Sequence, residues 1–393
     1  MILNIDKGFI PQVIQLPTSK SYANRALILG AQKKTQTHFE KLPKATDVTN
    51  LISALQGIGL NIIINNDELT FLNSFPECED NSSASKIIEV GEGGTTARFL
   101  ACMLLKGTKP YVLKLGKRLK ERPWDEFISL VVNYGAQCSL NDDELFIQGP
   151  IKLPSKIEVD CSRTTQFATG LALCFSPETQ VIPTQLETSQ SYWEMTLKLI
   201  EDFSSDLYVT PIDWSSASYP LAFAALTRET FFPHLFPDKF QADSKFYDLL
   251  KSLGLLTQKN DGVLITPTKV TKDVSLDVTD CLDLVPTLVF FLSYVKGQHE
   301  LIGVENLVFK ESDRLHESLR LLKAFGVSYK AVGTRLMIQG SYEKFEESVN
   351  LELPDDHRMV MSAALFMRYN EGGSVSPFEA VDKSYPEFFQ LFD

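Results

Sequence analysis

One kind of segment recurs six times along the 393 residues. It opens with small polar or charged residues and runs into an Ala/Leu-rich apolar stretch, at 19–29, 93–105, 164–175, 215–226, 283–294 and 356–367. Most copies are apolar around much of the helical circumference, which marks a buried helix, not a surface one. An amphipathic stretch follows most of them, at 46–57, 124–134, 192–203, 244–253 and 313–325. Four of these lead through a glycine into paired alternating runs: 60–64 with 68–72, 137–140 with 144–148, 255–258 with 263–266, and 327–330 with 335–339. The connectors Asn65-Asn66-Asp67, Asn141-Asp142-Asp143, Asn260-Asp261-Gly262 and Val332-Gly333-Thr334 carry hairpin turn chemistry. The unit reads strand–helix–strand–helix–hairpin, and its recurrence predicts a pseudo-symmetric α/β fold or array. An ordinary α/β domain with look-alike helices is the alternative. The third unit has no room for a full hairpin between 204 and 211, which predicts a domain crossover near the middle of the chain.

Charge narrows the functions open to such a chain. Its 38 Lys and Arg face 50 Asp and Glu, a net charge of −12. That is a poor basis for binding nucleic acid or an anionic membrane, so neither is expected as a partner. The start of the chain lacks the basic and apolar regions of an export signal. The most apolar stretch, 284–295, is too short to span a bilayer. Six scattered cysteines without Cys-x-x-Cys pairs read as free thiols in a reducing cytoplasm. Five histidines, none at ligand spacing on one helix, predict no bound metal.

Within this acidic background the cations sit at marked places. Lys20, Ser21 and Arg25 open the first apolar helix, Gly93, Gly94, Thr95 and Arg98 the second, and Thr164, Thr165 and Gln166 the third. Unpaired N–H groups and a partial positive charge make helix N-termini suited to anions, although Ser, Thr, Asp and Gly also serve as plain caps. Several such helices with Lys or Arg beside them point to anion binding. Arg122, Lys310, Arg314, Arg358 and Lys383 add further cations. Asp283, at the start of an apolar helix, and Glu311, between Lys310 and Arg314, are the acid/base candidates, with local ion pairing as the plain reading of Glu311. His357 is a further proton carrier or a local hydrogen-bonding group.

Taken in order, these motifs resemble the 5-enolpyruvylshikimate-3-phosphate synthase family. The matching segments are Leu16-Pro17-Thr18-Ser19-Lys20-Ser21-Tyr22-Ala23-Asn24-Arg25-Ala26, Gly91-Glu92-Gly93-Gly94-Thr95-Thr96-Ala97-Arg98, Arg118-Leu119-Lys120-Glu121-Arg122-Pro123, Thr164-Thr165-Gln166-Phe167, Ser189 with Tyr192, Ser215-Ser216-Ala217-Ser218-Tyr219, Lys310-Glu311-Ser312-Asp313-Arg314, Asp356-His357-Arg358-Met359 and Lys383-Ser384-Tyr385-Pro386. The resemblance implies two domains of three βαβαββ units, with parallel helices inside outward-facing sheets. The first would span 19–211, the second 1–18 with 212–393, and the active site would lie in the cleft between them.

The implied reaction joins phosphoenolpyruvate to the 5-hydroxyl of shikimate 3-phosphate and releases phosphate. It proceeds by addition and elimination through a tetrahedral intermediate, in the pathway to chorismate and the aromatic amino acids. By the same resemblance, Lys20, Gly94, Arg122, Gln166, Arg314, Arg358 and Lys383 hold phosphoenolpyruvate. Ser21, Arg25, Thr164, Thr165, Gln166, Ser189, Tyr192, Asp283, Asn306 and Lys310 hold or line the site of shikimate 3-phosphate. Asp283 would take the hydroxyl proton, and Glu311 with Lys20 would serve the methylene carbon. No cofactor or metal is implied. The expectation is a cytoplasmic monomer, and glyphosate is an expected inhibitor. Thr18, Glu92, Phe99, Thr164, Thr165 and Gln190-Ser191 depart from the family's usual Gly, Asn, Pro, Ser, Ser and Lys-Pro. The alternatives are the related UDP-N-acetylglucosamine enolpyruvyl transferase and a non-catalytic relative. The former generally carries a reactive cysteine where this chain has Lys117.

Overall fold

A computed structural model describes residues 1–80, 84–203 and 206–393. Its elements begin with β1 (Leu3–Ile5), α1 (Lys20–Ala31), β2 (Thr37–Glu40), α2 (Thr46–Gly57), β3 (Ile62–Asn65), β4 (Glu68–Phe71), β5 (Lys86–Glu89), α3 (Gly94–Leu104), β6 (Pro110–Lys114) and α4 (Asp125–Asn133). Then come β7 (Gln137–Asn141), β8 (Glu144–Gln148), β9 (Lys156–Asp160), α5 (Gln166–Phe175), β10 (Gln180–Thr184), α6 (Gln190–Asp202), β11 (Leu207–Val209), α7 (Trp214–Thr227), β12 (Thr230–Pro233) and α8 (Lys245–Ser252). The last are β13 (Leu256–Lys259), β14 (Gly262–Ile265), β15 (Val274–Asp277), α9 (Val285–Ser293), β16 (Gly297–Ile302), α10 (Arg314–Ala324), β17 (Ser328–Val332), β18 (Arg335–Gly340), β19 (Val349–Glu352), α11 (His357–Tyr369) and β20 (Gly373–Ser376). The chain divides into two compact units, Thr18–Pro211 and Met1–Pro17 with Ile212–Asp393.

In the Thr18–Pro211 unit the apolar helices α1, α3 and α5 pack on one another and are buried along most of their length. Small residues permit the approach: a Cβ at Gly170 would stand 2.7 Å from the Cys102 sulfur. Ser19 caps α1 by accepting from the Tyr22 amide at 3.4 Å. The sheets run β11-β2-β4-β3, β5-β6-β8-β7 and β10-β9. In the second sheet β5, which precedes its buried helix, lies parallel to β6. No described strand of this unit precedes α1, and β11 from the far end takes the equivalent place, with Leu207 opposite His38 on β2. The third unit therefore ends in one strand lent to the first unit's sheet, leaving a two-stranded sheet of its own. The stretch before β11 includes Ser204 and Ser205, which lie outside the described residues.

In the other unit α7, α9 and α11 form the corresponding buried set. Phe290 stacks on Phe223 at 6.2 Å and meets Phe366 edge-on at 5.2 Å, so aromatic area joins all three helices. The sheets run β12-β14-β13, β15-β16-β18-β17 and β1-β20-β19. The N-terminal segment serves two of them: Val13 bridges to Phe231 on β12, and β1 pairs with β20. The sixth unit has short 3-10 turns, Phe378–Lys383 and Phe388–Phe392, after its last strand in place of an amphipathic helix.

The paired runs fold as the antiparallel hairpins β3–β4, β7–β8, β13–β14 and β17–β18. Asn66 and Asp142 take left-handed backbone at φ 57° and 53°, the conformation these residues tolerate best after glycine. Among the buried helices, two starts differ from expectation by two residues. The third begins at Gln166, not Thr164, and the fifth at Val285 behind a 3-10 turn, Leu282–Leu284. Pro286 explains the latter, because its fixed φ and missing N–H suit a first helical turn.

Candidate active site

Lys20 is the first residue of α1, and its ammonium lies 2.9 Å from Asp47 Oδ2 in the first turn of α2. Arg25, further along α1, is only 3% exposed. Its Nε donates to Thr196 Oγ1 at 2.9 Å, Nη1 to the Ser21 carbonyl at 2.8 Å and Nη2 to the Tyr192 carbonyl at 3.3 Å. These partners are all neutral, and burial pulls the Arg25 pKa down to about 10. A buried guanidinium with no carboxylate partner among the described residues is costly.

Arg98 on α3 is fully buried between the rings of Trp124 and Phe167. It donates to Gln166 Oε1 at 2.7 Å, Thr164 Oγ1 at 3.4 Å and the Pro123 carbonyl at 3.1 Å. Burial, and then repulsion by Arg122 and Arg163, holds its pKa well below the usual arginine value. A Cβ on Gly94 would stand 2.6 Å from Arg122 Nη1 and 3.0 Å from Gln166 Oε1, so these three residues meet at the start of α3. Thr165 occupies the N-cap of α5 without a side-chain cap bond, while Thr164 Oγ1 accepts from the Gln166 amide at 3.3 Å. Ser189 precedes α6 in left-handed backbone, φ 64°, with Tyr192 in the first turn behind it.

In the other unit the centre is Asp283. It lies in the 3-10 turn, not at a helix cap: Leu284 is the N-cap of α9. Its Oδ1 accepts from Arg314 Nη1 at 2.6 Å and lies 3.4 Å from Lys310 Nζ, and its Oδ2 accepts from Arg358 Nη2 at 3.1 Å. Burial alone would raise the Asp283 pKa, but Arg358, Lys310 and Arg314 overcome that and hold it well below the carboxylate range. Arg314, wholly buried, also donates to Glu311 Oε2 at 2.6 Å and from Nε to Asp356 Oδ2 at 2.8 Å. Glu311 therefore does form the local ion pair, within a larger network. Arg358 is 5% exposed, and its Nε and Nη1 have no hydrogen-bond partner among the described residues. Asn306, half-buried in the turn Glu305–Phe309, and Lys383, at the end of Phe378–Lys383, make no hydrogen bond to this network among the described residues.

Two supporting residues, Asp47 and Asp243, escaped the sequence reading, and two that stand in its motifs, Arg98 and Asp356, received no individual role there. Asp47 holds Lys20, and Arg98 holds Gln166. Asp356 accepts from Arg314, Ser312 and the Arg358 amide. Asp243, 1% exposed, accepts from the Ser215 hydroxyl, and burial followed by the charge of Asp283 raises its pKa to about 7. For Asp356 a signal was available, since it stands two residues before Arg358 in a cap position. Across the sheet, His38, Glu40 and Glu68 bring three potential ligand atoms within 4.8 Å, half-exposed and on strands. Among the described residues no helix is long and apolar enough to cross a membrane.

Known proteins share both the sequence pattern and the architecture. A 3-phosphoshikimate 1-carboxyvinyltransferase from Thermococcus kodakarensis is 27% identical over 96% of this chain and 95% of its own length. One from Clostridioides difficile is 26% identical over 96% and 94%. The solved EPSP synthase of Acinetobacter baumannii superposes with a TM-score of 0.79 at 21% identity, covering 99% of this chain and 97% of that one. The enolpyruvyl transferase NikO of Streptomyces tendae reaches 0.77 at 12% identity over 100% and 96%. These two structural likenesses establish the two-domain α/β fold. The family model for EPSP synthase (3-phosphoshikimate 1-carboxyvinyltransferase) matches residues 8–392, which takes in every residue of the Asp283 and Arg25 networks, and the chain belongs to that family.

Proposed function

We propose that this protein transfers the enolpyruvyl group of phosphoenolpyruvate to the 5-hydroxyl of shikimate 3-phosphate, with release of phosphate. The observation that carries this reading is the treatment of arginine. Among the described residues, Arg25 is buried against neutral partners, and Arg358 keeps two buried nitrogens without partners while the third grips Asp283. Such groups suit substrates that each carry a phosphate and a carboxylate. Arg25, Ser21, Thr164, Thr165 and Ser189 would hold shikimate 3-phosphate, with Asp283, Asn306 and Lys310 on its other groups and Tyr192 lining its site. Lys20, Gly94, Arg122, Gln166, Arg314, Arg358 and Lys383 would receive phosphoenolpyruvate.

The Asp283 network suggests how the base is brought into play. The same cations that hold its carboxylate are the ones assigned to substrate anions. As they turn to those anions their hold on Asp283 weakens, and its basicity rises where the 5-hydroxyl proton must be accepted. The oxygen attacks C2 of phosphoenolpyruvate while C3 gains a proton, with Glu311 and Lys20 as its donors. The cations stabilise the tetrahedral intermediate. Loss of a C3 proton and departure of phosphate then restore the double bond in the enolpyruvyl ether. We place the enzyme in the cytoplasm, a reading supported by six cysteines in free thiol form, and take it as a monomer. The test is phosphate release by the purified protein. Release should require both substrates and no added metal. Turnover with UDP-N-acetylglucosamine in place of shikimate 3-phosphate would overturn the assignment.

A further inference from the structure

Glu92 places a carboxylate two residues before Gly94, on the approach to an anion-binding helix. The structure gives that carboxylate to the backbone of a neighbouring loop. Its Oε2 accepts from the amides of Arg118 at 3.2 Å and Leu119 at 3.1 Å, and its Oε1 accepts from the Arg118 amide at 3.4 Å. The approach is close enough that a Cβ on Gly116 would stand 2.3 Å from the Glu92 carboxyl carbon. Arg118 Nη1 donates to Glu121 at 3.0 Å, and Lys120 Nζ donates to Asp142 at 2.6 Å.

The held amides belong to the loop that delivers Arg122. Leu119 donates its N–H to Glu92, and its carbonyl accepts from the Arg122 amide at 3.2 Å and from the Trp124 indole at 3.1 Å. The strand-end contact between the Gly116 amide and the Gly91 carbonyl, at 3.0 Å, closes the other side. One short segment, Gly91–Gly94, thus ties the loop backbone at Gly116, Arg118 and Leu119, and leaves room at Gly94 for the Arg122 guanidinium. Charge-assisted bonds from two adjacent amides to one carboxylate are strong and directional.

We propose that Glu92 is a positioning residue, an internal carboxylate that fixes the 116–122 loop and through it sets Arg122 for phosphoenolpyruvate. The inference rests on the enolpyruvyl-transfer reading only for the ligand that Arg122 receives. Glu92 acts through the backbone amides that it accepts from. A negative charge near an anion site is tolerated because the backbone amides absorb it.

The test pairs hydrogen exchange with kinetics on full-length Glu92→Gly and Glu92→Gln, with formate as a replacement carboxylate. Glu92→Gly should speed amide exchange in the peptide covering 117–122 and raise KM for phosphoenolpyruvate by about tenfold, with kcat and KM for shikimate 3-phosphate changed far less. Formate should reverse both effects in Glu92→Gly and do nothing to the wild type. Glu92→Gln, which keeps one acceptor oxygen, should lie between. Unchanged exchange in Glu92→Gly would overturn the clamp. Faster exchange with an unchanged KM for phosphoenolpyruvate would overturn its link to Arg122. A wild type inactive with both substrates, but with exchange that responds to Glu92→Gly and to formate, would sink the functional reading and leave the clamp standing.

Discussion

Arg314 Nη1 donates to Asp283 Oδ1 at 2.6 Å, while the same guanidinium grips Asp356 and Glu311. The candidate base is thus tied to a buried cation that three carboxylates share. A lysine keeps the charge but lacks the planar fork. Arg314→Lys should cut turnover by ~10²-fold or more and destabilise the fold by about 3–5 kcal/mol, because Asp356 would be left buried and poorly paired. Steady-state rates and urea unfolding check both. A variant as stable as wild type would show that Asp356 does not depend on Arg314.

Replacing Asp283 with Asn keeps its shape but removes the proton acceptor. Turnover should fall ~10²-fold or more, and binding of shikimate 3-phosphate, measured by calorimetry, should change less. Wild-type turnover would remove Asp283 from the mechanism.

Asp243 makes a pH prediction with the opposite sign to an ordinary salt-bridged carboxylate. Burial and the neighbouring Asp283 raise its pKa from 3.8 to about 7 in the folded protein. Between those values the native state binds more protons than the unfolded chain, so Asp243's contribution to stability falls as pH rises. Asp243→Asn should therefore gain on wild type, by up to a few kcal/mol, as pH rises from 4 to 7. Urea unfolding of both proteins across that range would reveal it, and a constant difference would contradict it.

Arg25 offers a separation of folding from binding. Its neutral partners mean that its removal orphans no carboxylate. Arg25→Met should leave melting temperature unchanged or raised, since an apolar side chain replaces a buried charge. Its affinity for shikimate 3-phosphate should drop ~10²-fold. Retained affinity would place the phosphate elsewhere.

At Gly94 an added methyl would meet Arg122 Nη1 at 2.6 Å and Gln166 Oε1 at 3.0 Å, so the guanidinium must move. Gly94→Ala should raise KM for phosphoenolpyruvate about tenfold. If glyphosate competes with phosphoenolpyruvate, as the family resemblance implies, its inhibition should weaken in the same variant. Inhibition that ignores phosphoenolpyruvate concentration would deny a shared site.

The buried helices and hairpins were readable from sequence because each has a local period and local end signals. What escaped is what long-range pairing decides. Nothing in Leu207–Val209 announces that it completes a sheet with His38–Glu40. The three anchors of the Asp283 network reach it from Lys310, Arg314 and Arg358, and no periodicity links those positions. Asp283 read as a helix start because Pro286 and the apolar run behind it mimic one; the extra 3-10 turn instead frees its carboxylate for the arginines. Asp47 and Asp243 look like ordinary helix-end acids, and only their burial marks them.

The Thr18–Pro211 unit leaves and rejoins the remaining chain at one point: Ser19 donates its amide to the Pro211 carbonyl at 2.7 Å, and Asp213 donates its amide to the Pro17 carbonyl at 2.9 Å. It is built as an insertion between β1 and the strands that complete its sheet. On the ribosome the inserted unit can finish folding while Leu3–Ile5 still lacks β20, its hydrogen-bonded neighbour, which is made after the whole inserted unit. Leu3–Ile5 must be kept unpaired until Gly373–Ser376 has been made, so a truncation near residue 373 would leave both β1 and β19 without their shared neighbour.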